Sequence, residues 1–373
     1  MIGGKVGDDV EIMKKRLSLL IAFVAARSSS NLSSVCCLIP RSPFLSLCII
    51  LIFCSQKSMR ICKTLRRKSI KIYTEIGYFS IACITIREIF QEGLYPWSEE
   101  WFAQAQTSEI NIRKHSEETK GIRKLVRIEG YNVPVTKKID ENGEVELNFY
   151  LYEKFDGLKF LAEFFTRFFN SSIDEIQISS DEYPDQIRKT IDWILSKQES
   201  IPVSHIEDDQ ITDEHIRAVL NVSNFVNNFF ISVKPTDSFT HQFIFNRDVL
   251  SITNAFWINL QNLFNVDCRL IQMEGTRLTS QEMNWYLRHW MNGAFPRVKV
   301  INIDMEEINL HSLLADLNAM VFPEGEERVY KLEGNEEYGM HYGFDITRND
   351  GTVATIEHEG GDIVSKRFFF VVW

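Results

Sequence analysis

Cysteine all but disappears after the first quarter of this sequence. Six of its seven cysteines lie between Cys36 and Cys83, and Cys268 is the single thiol of the remainder. A secreted disulfide scaffold would not leave its main body with one thiol, so the body reads as reduced and intracellular, cytoplasmic or nuclear. Proline and glycine are also sparse, 9 and 18 in 373 residues, which excludes collagen-like and flexible-linker chains. No apolar run reaches the ~18–20 residues that span a bilayer. Leu17–Ala26 and Pro43–Cys54 are both shorter, although the first, preceded by Lys14–Arg16, resembles a signal peptide. Catalytic signatures are missing as well. The sequence has no glycine-rich phosphate loop, no G-x-S-x-G elbow, no H-E-x-x-H and no C-x-x-C. Neither an enzyme, a metal nor a cofactor is expected. His341 and His358 flank a predicted hairpin but lack a third ligand. The adjacent acids Glu326-Glu327 and Glu336-Glu337 read as solvated surface.

What the chain does have is apolar and aromatic mass. Hydrophobic residues make up 45% and there are 27 Phe, enough for a sizeable core and two domains. The net charge of −10 is uneven. Residues 1–80 hold 13 Lys and Arg against 4 Asp and Glu, whereas the rest holds 28 against 47. An acidic body is a poor ligand for phosphate backbones, so nucleic acid is not an expected partner. The basic stretch Lys57–Lys71 reads as a solvated helix face.

Within Phe44–Arg67, Leu45, Ile49, Ile52 and Phe53 recur at helical spacing, followed by Met59, Cys62 and Leu65 among basic residues. This pattern predicts a small helical hairpin. Leu125–Val135 and Glu144–Tyr150 alternate around Asn142-Gly143, a tight-turn signal, and predict a β-hairpin. Leu158–Phe169 then sets Leu158, Leu161, Phe165, Phe168 and Phe169 on one helical face.

From Ser171 a short apolar strand repeatedly leads through a polar loop into an amphipathic helix. Expected strands are Ile173–Ile178, His205–Glu207, Asn228–Val233, Leu250–Thr253, Cys268–Glu274 and Lys299–Asp304. Expected helices are Gln186–Leu195, Thr212–Leu220, Trp257–Phe264, Thr279–Asn292 and Leu310–Leu317. Residues 205–220 overlay 272–287, matching Glu207 with Glu274, Thr212 with Thr279 and Leu220 with Leu287 in the same apolar phase. Thr279 with Glu282 fits a capping box, and Asn292-Gly293 followed by Pro296 supplies the stop. Unit spacings of about 20–30 residues point to a leucine-rich-repeat-like stack. Arg328–Leu332, Phe344–Arg348, Val353–His358 and Arg367–Trp373 close the chain as antiparallel strands, with a turn at Asp350-Gly351. The fold class is therefore α+β or α/β: a short N-terminal helical segment, leucine-rich-repeat-like strand–helix units, and a C-terminal antiparallel β element.

Several of these residues carry a resemblance. Trp257-Ile258-Asn259-Leu260, Cys268, Leu278-Thr279, Asn284, Leu287, Trp290, Gly293 and Pro296-Arg297, with Asp345-Ile346, Arg348, Asp350-Gly351-Thr352 and the terminal aromatic run to Trp373, resemble the type-2 F-box-associated domain of nematode F-box proteins. Phe53-Cys54-Ser55 and Ile61-Cys62-Lys63 look like the tail of an F-box shortened by a helix's worth of residues. The resemblance implies an unassigned leader at 1–39, a partial F-box at 40–80, a linker at 81–119 and the substrate-recognition domain at 120–373. It implies a non-catalytic adaptor of an SCF-type (cullin–RING) ubiquitin ligase. Leu45, Leu47, Ile49, Leu51, Ile52 and Phe53 would contact the small F-box-binding adaptor. Arg269, Arg277, Arg288 and His289 would contact a protein target marked for ubiquitination. Two alternatives stand beside it: an orphan protein-binding repeat module with a decayed F-box, and a membrane-tethered or secreted repeat protein.

Overall fold

The computed structural model describes residues 70–76, 82–88, 106–116, 123–139, 145–178, 184–208, 211–322, 327–331, 337–357 and 366–373. The helical hairpin expected at 44–67, the six expected adaptor contacts, the Asn142-Gly143 turn and His358 lie outside these residues. Among the described residues the fold is mixed α/β and dominated by one 16-stranded sheet.

The repeat region forms the centre of that sheet. β7 (Ile173–Ile178), β8 (Ile201–Asp208), β9 (Val226–Val233), β10 (Val249–Thr253), β11 (Leu270–Met273) and β12 (Val300–Asp304) pair in sequence order and are all parallel. Each turns one aliphatic phase toward the connecting segments, as a period of two requires. Ile176, Ile206, Phe229, Ile252, Ile271 and Ile303 all lie in the main core. The connections are α2 (Pro184–Leu195), α3 (Asp213–Val222), α4 (Leu260–Phe264) and α5 (Ser280–Met291), with α6 (Leu310–Leu314) after β12. Between β9 and β10 the chain runs without a helix and buries Phe239, Phe243 and Phe245 instead.

Local chemistry sets the helix starts. Thr212 accepts from the His215 backbone N–H at 3.4 Å, and Thr279 accepts from Glu282 N–H at 3.3 Å while Glu282 reaches back to Thr279 N–H at 2.8 Å. The 67-residue overlay thus joins two structurally equivalent units, β8–α3 and β11–α5. α4 is shorter than the expected Trp257–Phe264, because Asn259 and Asn262 form a reciprocal capping box and Trp257 enters the core ahead of it.

The C-terminal flank is antiparallel, and the N-terminal flank is mixed. Beyond β12 come β18 (Arg367–Val372), β17 (Val353–Glu357), β16 (Gly343–Thr347) and the edge strand β13 (Met320–Val321). β14 (Arg328–Lys331) and β15 (Glu337–Met340) form a separate hairpin. On the other flank β1 (Ile70–Ile76) runs parallel to β7. It continues into β2 (Ala82–Glu88), β3 (Gln106–Lys114), β6 (Val145–Leu151), β5 (Tyr131–Ile139) and β4 (Lys124–Ile128), with β3 parallel to β6. α1 (Lys154–Phe169) covers β1, β2 and β3 with the expected phenylalanine face.

Three expectations change. Ile70–Ile72, placed at the end of a helical segment, are strand: Ile70, Ile72, Thr74 and Ile76 alternate with period two and are β-branched. Residues 82–88 and 106–114, within the stretch expected as linker, are sheet strands whose Ile84, Ile86, Ile110 and Ile112 join the main core. The run Leu125–Val135 is two strands, because Glu129 and Gly130 both take positive φ, 48° and 94°, and turn the chain back.

Candidate functional site

With helices and loops on one face of β7–β12, the other phase of each strand forms a second face. Strand register arranges it in rungs running across the sheet. The first rung is Asn228, Val249, Leu270, Val300, Val371 and Thr355. It is covered by the β14–β15 hairpin, whose Tyr330, Tyr338 and Met340 pack with Val249, Leu270, Val300 and Val371 in a second core. Tyr338 lies 5.5 Å from Phe369 and Tyr330 lies 6.2 Å from Trp373, centroid to centroid.

The second rung is Gln177, His205, Phe230, Ser251, Gln272, Asn302 and Phe369. Its members from Gln177 to Asn302 are half-buried and mix amides, a hydroxyl and an aromatic pair. His205 stacks flat on Phe230 at 4.5 Å with 3° between the rings. Two residues further along the strands is a third rung: Glu207, Ser232, Thr253, Asp304 and Arg367. A hydrogen bond from Thr253 Oγ1 to Ser232 Oγ at 2.9 Å confirms their common side. Glu274 joins it two residues after Gln272, its N–H extending the ladder to Ile252 O at 2.9 Å. Glu207, Glu274 and Asp304 are exposed and make no ion pair among the described residues. The face therefore grades from apolar and covered, through amide and aromatic, to acidic and open.

Burial pushes the His205 imidazole from 6.5 down to about 4. The folded state holds this ring neutral. Above pH 6.5 it is neutral in both folded and unfolded chains and contributes nothing to pH dependence. As pH falls below 6.5 the unfolded chain takes up the proton first, so stability drops until about pH 4. The loss amounts to roughly 3 kcal/mol at 1.36 kcal/mol per unit. Urea denaturation of wild type and His205→Gln at pH 7 and pH 4 is expected to show this difference in wild type only. An equal loss in both would overturn it.

The four expected target-binding residues are not brought together. Arg269 immediately precedes β11 and Arg277 lies in the loop four residues beyond its end, so the strand stands between them. Arg277 lies over Phe256 at 5.1 Å. Arg288 and His289 are on the last turn of α5, on the helical side. Arg288 donates to Asn284 Oδ1 (2.8 Å), Asp316 Oδ2 (2.9 Å) and Ala315 O (2.9 Å), tying α5 to the turn after α6. His289 bonds Trp285 O at 2.8 Å and packs on Phe264 at 4.7 Å. None lies on the three rungs.

A groove of about 420 Å³ lies between the ends of α1 and α2. Glu163 crosses it, accepting from Trp193 Nε1 at 3.1 Å and pairing with Lys197 and Arg167 at 3.3 and 3.6 Å. Burial raises the Glu163 carboxyl, but these partners outweigh it and hold the group below its ordinary range. Its ionic groups are matched internally. Among the described residues, no three His, Cys, Asp or Glu side chains are grouped to hold a metal, and no helix is long and apolar enough to cross a membrane. Cys83 and Cys268 are buried, and burial pushes the Cys268 thiol well up, away from reactivity.

The open face escaped the sequence reading because that reading followed the core phase of each strand. A signal was present. Leu270-Ile-Gln-Met-Glu274 and Val300-Ile-Asn-Ile-Asp304 repeat one pattern, and Glu207 matched Glu274 in the overlay.

Residues 238–303 match the F-box associated family. That segment runs from the aromatic coil before β10 to β12, the centre of the open face. The chain is similar to the Skn-1 dependent zygotic transcript 15 protein of Caenorhabditis elegans, 26% identical over 149 residues, which cover 40% of this chain and 41% of that protein. No solved structure matches. Trp257, Trp290 and their neighbours lie inside this match, so the resemblance they carry to the F-box-associated domain of nematode proteins is supported over residues 238–303.

Proposed function

We propose that this protein is a non-catalytic substrate-recognition subunit of an SCF-type ubiquitin ligase. The observation that carries this reading is the F-box associated match over 238–303. In this reading the parallel strand–helix units act as a leucine-rich-repeat-like stack, presenting a broad face to a protein target without catalytic geometry. Leu45, Leu47, Ile49, Leu51, Ile52 and Phe53 insert into the F-box-binding adaptor of the ligase, and the β7–β12 body binds the target. A buried unpaired charge costs several kcal/mol by order of magnitude, so Ile49→Asp with Ile52→Asp destroys such an apolar contact. The full chain is expected to retain the purified adaptor in a pull-down, and the double variant to lose it. Absence of binding by folded wild-type protein would overturn the ligase role.

A further inference from the structure

We infer that the open face of β8–β12 recognises an extended segment of the target protein in which basic residues accompany an aromatic one. This deepens the target-binding half of the function proposed above and rests on it. The neighbouring rung of the same face is already occupied by extended chain, the β14–β15 hairpin, which lays Tyr330 and Tyr338 against it. That contact shows what chemistry this surface accepts: a strand presenting aromatic rings. The hairpin's cover reaches Phe369 and touches Phe230 on the second rung, where Phe230 and its stacked partner His205 remain half-buried in line with the amides of Gln272 and Asn302. These groups offer a ring a stacking surface and a backbone its hydrogen-bond partners.

The charge of the face points the same way. Glu207, Glu274 and Asp304 stand on the third rung with no cation paired to them among the described residues. Strand periodicity places them on the same side as the second rung, about 6–7 Å further along. Arg367, at the far end of this rung, donates to Asn302 Oδ1 at 2.9 Å and lies over Phe369 at 4.6 Å. A segment crossing the face therefore meets an aromatic and amide rung on one side and unpaired carboxylates on the other. Lys or Arg beside an aromatic residue complements both, whereas an acidic segment or a phosphate backbone is repelled.

The test is to pan a random dodecapeptide phage library on the full chain and measure the selected peptides by fluorescence anisotropy. Enrichment of Lys or Arg with Phe, Tyr or Trp is expected. Affinity should fall at least tenfold in Glu207→Lys with Glu274→Lys, and weaken at 0.5 M salt. Trp285→Ala, on the outer helical side, should leave affinity unchanged. The charge-removing pair Glu207→Gln with Glu274→Gln should lower affinity in the same direction with an unchanged melting temperature, which separates lost recognition from lost folding. Selected peptides lacking basic residues, binding indifferent to both pairs, or no selected peptide at all would overturn the inference. Adaptor retention in the pull-down is independent of this face. Adaptor binding without the basic preference leaves the ligase role standing and removes this inference alone. The preference without adaptor binding does the reverse.

Discussion

Trp290→Ala is expected to destabilise the protein by about 3–5 kcal/mol. Trp290 is fully buried in the last turns of α5. Its ring meets Phe370 of β18 edge-on at 5.2 Å, and the Arg348 guanidinium lies 5.5 Å from its centre. It thus joins the repeat helices to the C-terminal strands, and truncation leaves a cavity at their junction. Its indole N–H has no hydrogen-bond partner among the described residues. Trp290→Phe therefore gives up packing alone and is expected to cost less than half as much. Urea denaturation of both variants checks this. Equal losses would show that the indole N–H, rather than ring volume, holds the site.

Asp345→Ala is expected to cost about 3–5 kcal/mol, the range for leaving a largely buried charge without its partner. Asp345 Oδ1 and Oδ2 each accept from the Arg328 guanidinium at 3.0 Å. Thr355 Oγ1 donates to Asp345 Oδ1 at 2.6 Å and accepts from Trp373 Nε1 at 2.7 Å. Arg328 is further sandwiched near Phe322 and Trp373, at 4.3 and 5.7 Å. Because Arg328 belongs to β14 while Asp345 and Thr355 belong to β16 and β17, this network clamps the covering hairpin to the sheet. Removing both ions together should restore much of the loss, since a buried pair contributes little net stability against an apolar replacement. Arg328→Met with Asp345→Ala is accordingly expected to be more stable than Asp345→Ala alone. A double variant less stable than the single one would show the pair to be a net stabiliser.

Much of the fold was legible because it is locally encoded. The six parallel strands follow from short aliphatic runs, and α3 and α5 follow from Thr212 and Thr279 as caps. The Asn292-Gly293 stop is realised with Gly293 at φ 98°. The phenylalanine face of α1 and the closing strands to Trp373 follow from periodicity. The F-box-associated resemblance over residues 238–303 could also be read, because Trp257 and Trp290 are distinctive residues at fixed spacing.

What the sequence by itself determined was the identity and order of the units and which phase of each strand enters the core. Both are local: capping groups, side-chain period and turn residues act within a few positions. Tertiary structure decided the rest. It carried the sheet beyond the repeats into β1–β3, where strand pairing supplies the partners that alternation alone cannot name. It separated Arg269 from Arg277 and committed Arg288 to Asp316. It also aligned Gln177, His205, Phe230, Ser251, Gln272 and Asn302 from six strands into one row. That row depends on inter-strand register, set by hydrogen bonds between residues more than twenty positions apart, and no local pattern specifies it.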